Sequence, residues 1–326
     1  MKKIYIFYIS LVLGIFFTSC STHVHLDLLG EEQIQEVVLV KSDAKDKILV
    51  IDITGVIGLE SRASFFNREA DLVSSVYYRL RKATEDPNVK AIILRLDTPG
   101  GEITASDIIY HEIMRFKAET NIPVVALMMS VAASGGYYIA SAADYIIAHP
   151  TTITGSIGVI SVYPNVEGLF GKIGVDVTVI KSGKMKDSGS PLRTMTQEEK
   201  DYFQGLTNEY YEQFLSIVHK RVKNDISLET LRTLADGRIY TAKQAVEKKL
   251  INTTGYFSDA FDKSLVLAHI LDAQVVAYTY YPKSKTNIYA ANIQDTTSLI
   301  NVKSFEEHLP KLKTGFYYLW LPESME

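Results

Sequence analysis

At 326 residues the chain can bury a substantial core, and by length it forms one large domain or two modest ones. Its 34 basic and 38 acidic residues leave a net charge of −4, and no basic stripe interleaved with aromatics points to nucleic acid. One cysteine excludes an intrachain disulfide framework and a cysteine-based metal site, and seven histidines show no HExxH spacing, so no zinc site is expected.

Residues 1–20 carry two lysines, an apolar run over 4–17 and small polar residues ending at Cys20, the layout of an export signal. The run is shorter than the roughly 20 residues of a spanning helix. Cys20 resembles the lipidated cysteine of bacterial lipoproteins, although Phe17 stands where that motif usually has Leu. The alternatives are lipid on Cys20, an uncleaved anchor, or a chance cysteine. The first two tether the chain to the cell membrane on its extracytoplasmic, periplasmic face. Residues 21–45 mix charge with weak apolar character and read as a stalk.

From residue 47 onward, short apolar runs alternate with helical patterns. "KILVIDITGVI" reads as a buried strand closed by a glycine turn. Leu72, Val76, Leu80 and Ala83 share one helical face, and the proline of "EDPNV" ends that helix. A second strand, "VKAIILRLD", leads through "TPGGE" into a helix with Ile108, Ile109, Ile113 and Met114. A third, "IPVVALMM", precedes a small-residue turn and the helix "GGYYIASAA", and "YIIAHP" and "VDVTVIKSG" are expected as further strands. This alternation predicts an α/β fold with parallel strands, crossover helices and function at the loops after strand ends. A long helix is expected over 197–222, with Thr196 and Glu199 as a capping box and Phe203, Tyr210, Tyr211 and Phe214 as core or subunit contacts. "DGRIYTAKQAVEKKLINTTG" is a turn and an amphipathic helix ending near Gly255. The main domain is placed at 46–255. Residues 256–326 form a C-terminal segment with one more helix, the strand "QVVAYTYY" and an aromatic end of unread role.

Three turns can carry chemistry. In "LDTPGGE", Pro99 fixes the backbone while Gly100 and Gly101 let a ligand approach main-chain N–H groups, as an oxyanion hole requires. A tight turn with no ligand is the plainer alternative. In "AASGG", Ser134 stands among small residues where a strand gives way to a helix, so it is either a nucleophile near the positive end of a helix dipole or a packed helix start. Gly135 adds a second candidate oxyanion donor, and Ser130 and Ser141 lack such flanks. No GxSxG elbow is present, and no histidine, His149 included, stands in a context that suggests a triad. A lysine base remains. "IKSGKMKDSGSP" offers Lys181, Lys184 and Lys186, each otherwise a solvated surface group. A lysine acting as a base near neutral pH must fall from about 10.4 to roughly 7 or 8, and substrate or a neighbouring subunit would supply the burial this needs.

Taken in order, "DTPGG", "SVAASGGYYIASAAD", "TITGSIGVI", "KSGKMKDSGSP" and "DGRIYTAKQAVEKKLI" resemble the signal peptide peptidase SppA (protease IV) family in its short, single-domain form, over residues 47–255. The resemblance implies an α/β fold similar to Clp protease and crotonases, with stacked ββα units, and a serine peptidase working through a Ser-Lys dyad, which needs no metal or organic cofactor. Ser134 would be the nucleophile. Lys186, which precedes Asp187 as the family's lysine does in its KD pair, would be the general base, with Lys184 its local competitor. Ser156 in "TGSIG" matches the serine that helps position the lysine ammonium, and Gly100 or Gly101 matches the oxyanion glycine. "DTPGG" departs from the commoner NSPGG before the proline. The family further implies a dome-like homo-oligomer, an octamer being one candidate, with dyads completed between adjacent subunits. Its implied substrates are remnant signal peptides and other unfolded, apolar segments near the membrane. Two alternatives keep the fold without this activity: a crotonase-like acyl-CoA enzyme, against which the export signal argues, and a catalytically inactive lipoprotein scaffold.

Overall fold

The structure is a computed structural model that describes residues 34–59, 71–279, 288–289 and 315–320, and the backbone of 63–64 and 67–68. The chain divides into two units, Met1–Ile34 and Gln35–Glu326. The expected signal and Cys20 lie outside the described residues.

In chain order the second unit begins with β1 (Gln35–Val40), β2 (Lys47–Thr54) and a two-residue hairpin, β3 (Ala63–Ser64) and β4 (Asn67–Arg68). There follow α1 (Leu72–Glu85), β5 (Val89–Thr98), β6 (Gly100–Glu102), α2 (Ile103–Thr120), β7 (Val124–Ala133) and α3 (Gly135–Ala140). Next come β8 (Tyr145–Ala148), β9 (Ile153–Gly155), β10 (Ile160–Val162), α4 (Glu167–Lys172), α5 (Gln197–Val222) and α6 (Leu228–Leu234). The last are β11 (Ile239–Thr241), α7 (Ala242–Glu247), β12 (Thr253–Thr254), α8 (Phe257–Ala268), β13 (Gln274–Thr279) and β14 (Gly315–Leu319).

The large sheet runs β1-β13-β2-β5-β7-β8-β12, with β9 on the far half of β7 and β11 against β9. From β13 to β12 every pair is parallel, whereas β1 and β11 are antiparallel additions. Strands β2, β5 and β7 are near-continuous runs of Val, Ile, Leu and Ala because helices cover both faces. On one face Ile48, Val50, Ile93, Val125 and Leu127 meet Phe257 and Ala260 of α8. On the other, α1 buries Val76, Leu80 and Ala83, three of the four residues expected on that face. The capping box of Thr196 and Glu199 starts α5 as expected.

One irregularity positions the site. Leu96 pairs with Met128, but Thr98 pairs with Ala132, so β7 carries two extra residues before its end. The carboxylate of Asp97 accepts the Val131 N–H at 3.1 Å and holds this bulge. Beyond it, β7 leaves β8 and pairs with β9 through Val131, Ala132 and Ala133.

Two expectations need correction. "VDVTVIKSG" forms no strand: Val175, Val177 and Val179 are exposed and Ile180 is 96% exposed. Its alternation is strand-like, but no described strand pairs with it to take up its backbone groups. Within the expected stalk, residues 35–40 form β1, whose partner is β13 of the C-terminal segment. That segment also supplies β14, which joins β10 and β6 in a small antiparallel sheet.

Candidate active site

The turn after β5 is clamped before any ligand is considered. Ile57 N–H donates to the Gly100 carbonyl at 2.9 Å, and Glu102 N–H donates to the Ile57 carbonyl at 2.8 Å. The Gly101 Cα is so close to Ile57 that a Cβ there would collide with its carbonyl. Gly100 has φ +98°, a conformation that only glycine adopts without strain.

Ser134 follows β7 with φ +51° and ψ −113°. A non-glycine residue held there stores on the order of 1–3 kcal/mol of strain, a feature that clusters at functional sites. The residue is 1% exposed, yet its hydroxyl makes no capping bond to α3. A serine serving only to start a helix would accept such a bond. Its N–H donates to the Gly155 carbonyl at 2.8 Å, which brings it beside Ser156, itself at φ +49° with its N–H on the Arg238 carbonyl.

A peptide strand already lies along this rim. In β14, Tyr318 pairs with Gly101 and Leu319 with Gly100, and Trp320 N–H donates to the Pro99 carbonyl at 2.9 Å. A Cβ on Gly100 would strike the Tyr318 carbonyl oxygen, and one on Gly135 would come within 3.2 Å of it. That carbonyl therefore rests between the two glycine segments expected to hold an oxyanion. The Tyr318 side chain enters a pocket against Tyr138 and Phe214 and donates its hydroxyl to the Tyr210 carbonyl at 2.9 Å. Tyr138 in turn donates to Asp107 at 2.6 Å. Burial, reinforced at Tyr138 by Asp107, raises both phenols well above the usual range, so both remain neutral donors. Beyond Leu319 and Trp320 the groove opens past Ser156, Gln204, Asn208, Tyr211 and Arg232.

The lysine loop is ordered by carboxylates. Arg193 binds Asp187 at 2.8 Å and also Glu199, while Ser188 donates to Glu199 at 3.1 Å. Arg193, then Lys181, holds the Asp187 carboxyl well below the usual range; Arg193, then the Thr196 N–H, lowers Glu199 to about 2. Lys181 pairs with Asp187 at 2.5 Å, and Lys184 pairs with Glu198. Lys186 is exposed, and among the described residues its ammonium has no hydrogen bond or ion pair. The single chain thus gathers Ser134, Gly135, Gly100, Gly101 and Ser156, but it does not bring Lys186 into a hydrogen bond with Ser134.

The other candidates have different partners. Ser141 donates to the Tyr137 carbonyl, and His149 shares a hydrogen bond with Thr151 and lies edge-on to Tyr256. The sequence reading missed Thr98, Tyr318 and Asp97. Thr98 was findable as a hydroxyl two residues before a turn N–H, whereas β14 carries no local motif. Among the described residues no cluster of His, Cys, Asp or Glu could hold a metal ion, and no helix is long and apolar enough to cross a membrane.

Comparison with known proteins places the chain in a family. Residues 117–270, which include Ser134, Ser156 and Lys186, match the model of peptidase family S49. A protein of Enterococcus faecium named for signal peptide peptidase SppA is 36% identical over 249 residues, covering 76% of this chain and 72% of its own. The chain belongs to the SppA family of S49 peptidases. A Synechocystis protein named as a protease is 36% identical over 228 residues, 70% of this chain and 76% of that one. Protease 4 of Haemophilus influenzae is 35% identical over 221 residues, 67% of this chain but 34% of its own longer one. As an SppA family member the chain is a serine peptidase with an α/β, Clp protease-like fold, which sets aside the acyl-CoA alternative.

Proposed function

We propose that the chain is a membrane-tethered endopeptidase in which Ser134 is the nucleophile and Lys186 the general base, acting on remnant signal peptides and other unfolded, apolar segments. The observation that carries this reading is the extended strand β14 on β6, its Tyr318 carbonyl lodged between Gly100 and Gly135 next to Ser134. A substrate would bind in the same way, by antiparallel strand addition, with its scissile carbonyl at that position.

Neutral Lys186 takes the Ser134 proton as Oγ attacks the carbonyl carbon. The negative oxygen is held by glycine amides, the kind of donor whose loss costs about 10²–10³ in rate. The protonated lysine then passes its proton to the leaving amine, and the acyl-serine is hydrolysed by a water that the same lysine deprotonates. Ser156, beside Ser134, would orient the ammonium. The three loop lysines differ in a way that favours Lys186: Lys181 and Lys184 are engaged with Asp187 and Glu198.

The base would come from an adjacent copy in a homo-oligomer. Support lies in the exposed position of Lys186, the valine-rich arm over 175–180 with which no described strand pairs, and the absence of a dyad bond within one chain. Tethering would act through the N-terminus, by lipid on Cys20 or by an uncleaved anchor, on the extracytoplasmic face.

Hydrolysis of an unfolded protein and a fluorogenic peptide by the wild type, Ser134→Ala, Lys186→Ala and Lys184→Ala tests the reading, with assembly followed by light scattering. Activity lost in the first two variants and kept in the third, with assembly intact, supports it. Undiminished hydrolysis in Ser134→Ala, or none by an assembled wild type, defeats it.

A further inference from the structure

Thr98 precedes the PGG turn and is fully buried. Its hydroxyl donates to the Gly55 carbonyl at 2.6 Å and accepts the Gly100 N–H at 3.1 Å. Gly55 is itself fixed by an N–H bond to the Asp97 carbonyl at 3.0 Å. The Thr98 methyl faces the other side of the site, where a Cβ on Gly136 would stand 2.7 Å from it. One side chain thus joins the end of β2, the PGG turn and the start of α3, the three segments that converge on Ser134.

This arrangement decides which amide faces the substrate. The Gly100 N–H is consumed by Thr98, and the residue paired across the ladder with Tyr318 is Gly101. Of the two glycines, Gly101 is therefore left to join Gly135 as an oxyanion donor. A single hydroxyl between a carbonyl and an amide sets the rotation of the intervening peptide planes, because donor and acceptor directions are both used.

We propose that Thr98 is the positioning residue of the oxyanion hole: its hydroxyl fixes the Pro99–Gly100 peptide, and so the turn that presents the Gly101 N–H, and its methyl spaces that turn from the helix bearing Gly135. The inference rests on Ser134 being the nucleophile. Thr98 does not touch substrate. Its role is in the geometry of the transition state, so its loss should appear in kcat rather than KM.

The test compares wild type, Thr98→Val, Thr98→Ser and Ser134→Ala for kcat and KM on a fluorogenic peptide, and for inhibition by a peptide aldehyde that adds reversibly to a serine hydroxyl. Thr98→Val, which keeps the shape and removes the hydroxyl, should lose about 10–100-fold in kcat with KM within about twofold, and should bind the aldehyde correspondingly more weakly. Thr98→Ser should keep kcat within about threefold of wild type. Wild-type kcat in Thr98→Val, or an equal loss in Thr98→Ser, overturns the proposal. Should Thr98→Val not fold, amide hydrogen exchange in the wild type decides: a protected Gly100 N–H upholds the bond, and exchange at the unstructured rate overturns it. Full hydrolysis by Ser134→Ala would instead remove the nucleophile assignment, and this inference with it.

Discussion

Tyr318 lies flat on Tyr138, with ring centroids 5.1 Å apart and planes 25° apart, so the far end of the chain is stacked on the helix that begins one residue after Ser134. The contact makes β14 a tethered occupant of the groove. A strand carried on the same chain competes with added peptide as an intramolecular ligand.

A chain ending at residue 313 should therefore bind added peptide more readily, with KM lowered about tenfold or more and kcat little changed. Steady-state kinetics on the full and shortened chains checks this, and equal KM values would show that β14 does not compete. The shortened chain should also melt at a lower temperature, since burying an aromatic ring of this kind is worth about 3–5 kcal/mol.

If dyads form between copies, two inactive variants should rescue one another. Ser134→Ala and Lys186→Ala, unfolded together and reassembled, should regain about a quarter of wild-type activity, the random chance that an intact serine meets an intact lysine across a head-to-tail contact. A mixture as inactive as its components would place both residues in one chain.

Gly101→Ala should lower kcat/KM by at least about 10²-fold, because the added methyl collides with the Ile57 carbonyl and turns the peptide away from the groove. Gly168→Ala, in open space on α4, should be silent and serves as the control. Near-normal activity in Gly101→Ala would shift the donor role elsewhere.

The lysine loop should loosen in acid. Arg193 lowers both Asp187 and Glu199 below their unfolded values, Glu199 from 4.5 to about 2. Depressed carboxylates stabilise fully above the unfolded pKa, and that contribution is lost as pH falls through the folded one. Exchange protection over residues 181–199, corrected for intrinsic rates, should therefore drop between pH 5 and about pH 2.5 while β5 and β7 keep theirs. Arg193→Met should remove the difference, and unchanged protection in the wild type would refute the coupling.

What the sequence disclosed was whatever is written locally. The α1 face, the Thr196–Glu199 cap and the glycine turns depend on neighbours within a few residues, and they stand where expected. Strands depend on partners. The alternation of Val175, Val177 and Val179 looked like a strand but lacks a described partner, while β14 went unread because Gly100 and Gly101, which define its register, lie at the other end of the domain. The lysine choice was legible only as a KD pair by resemblance. The carboxylates that occupy Lys181 and Lys184 became visible only in three dimensions.

The backbone at Ser134 also restricts which chemistries the site can adopt. At φ +51° a side chain branched at Cβ meets the neighbouring peptide, so threonine is barred as a replacement nucleophile although it carries the same hydroxyl. Cysteine, unbranched there, fits the same dihedral. The scaffold therefore admits exchange of oxygen for sulfur but not an added methyl, and a thiol variant would open the groove to selective labelling.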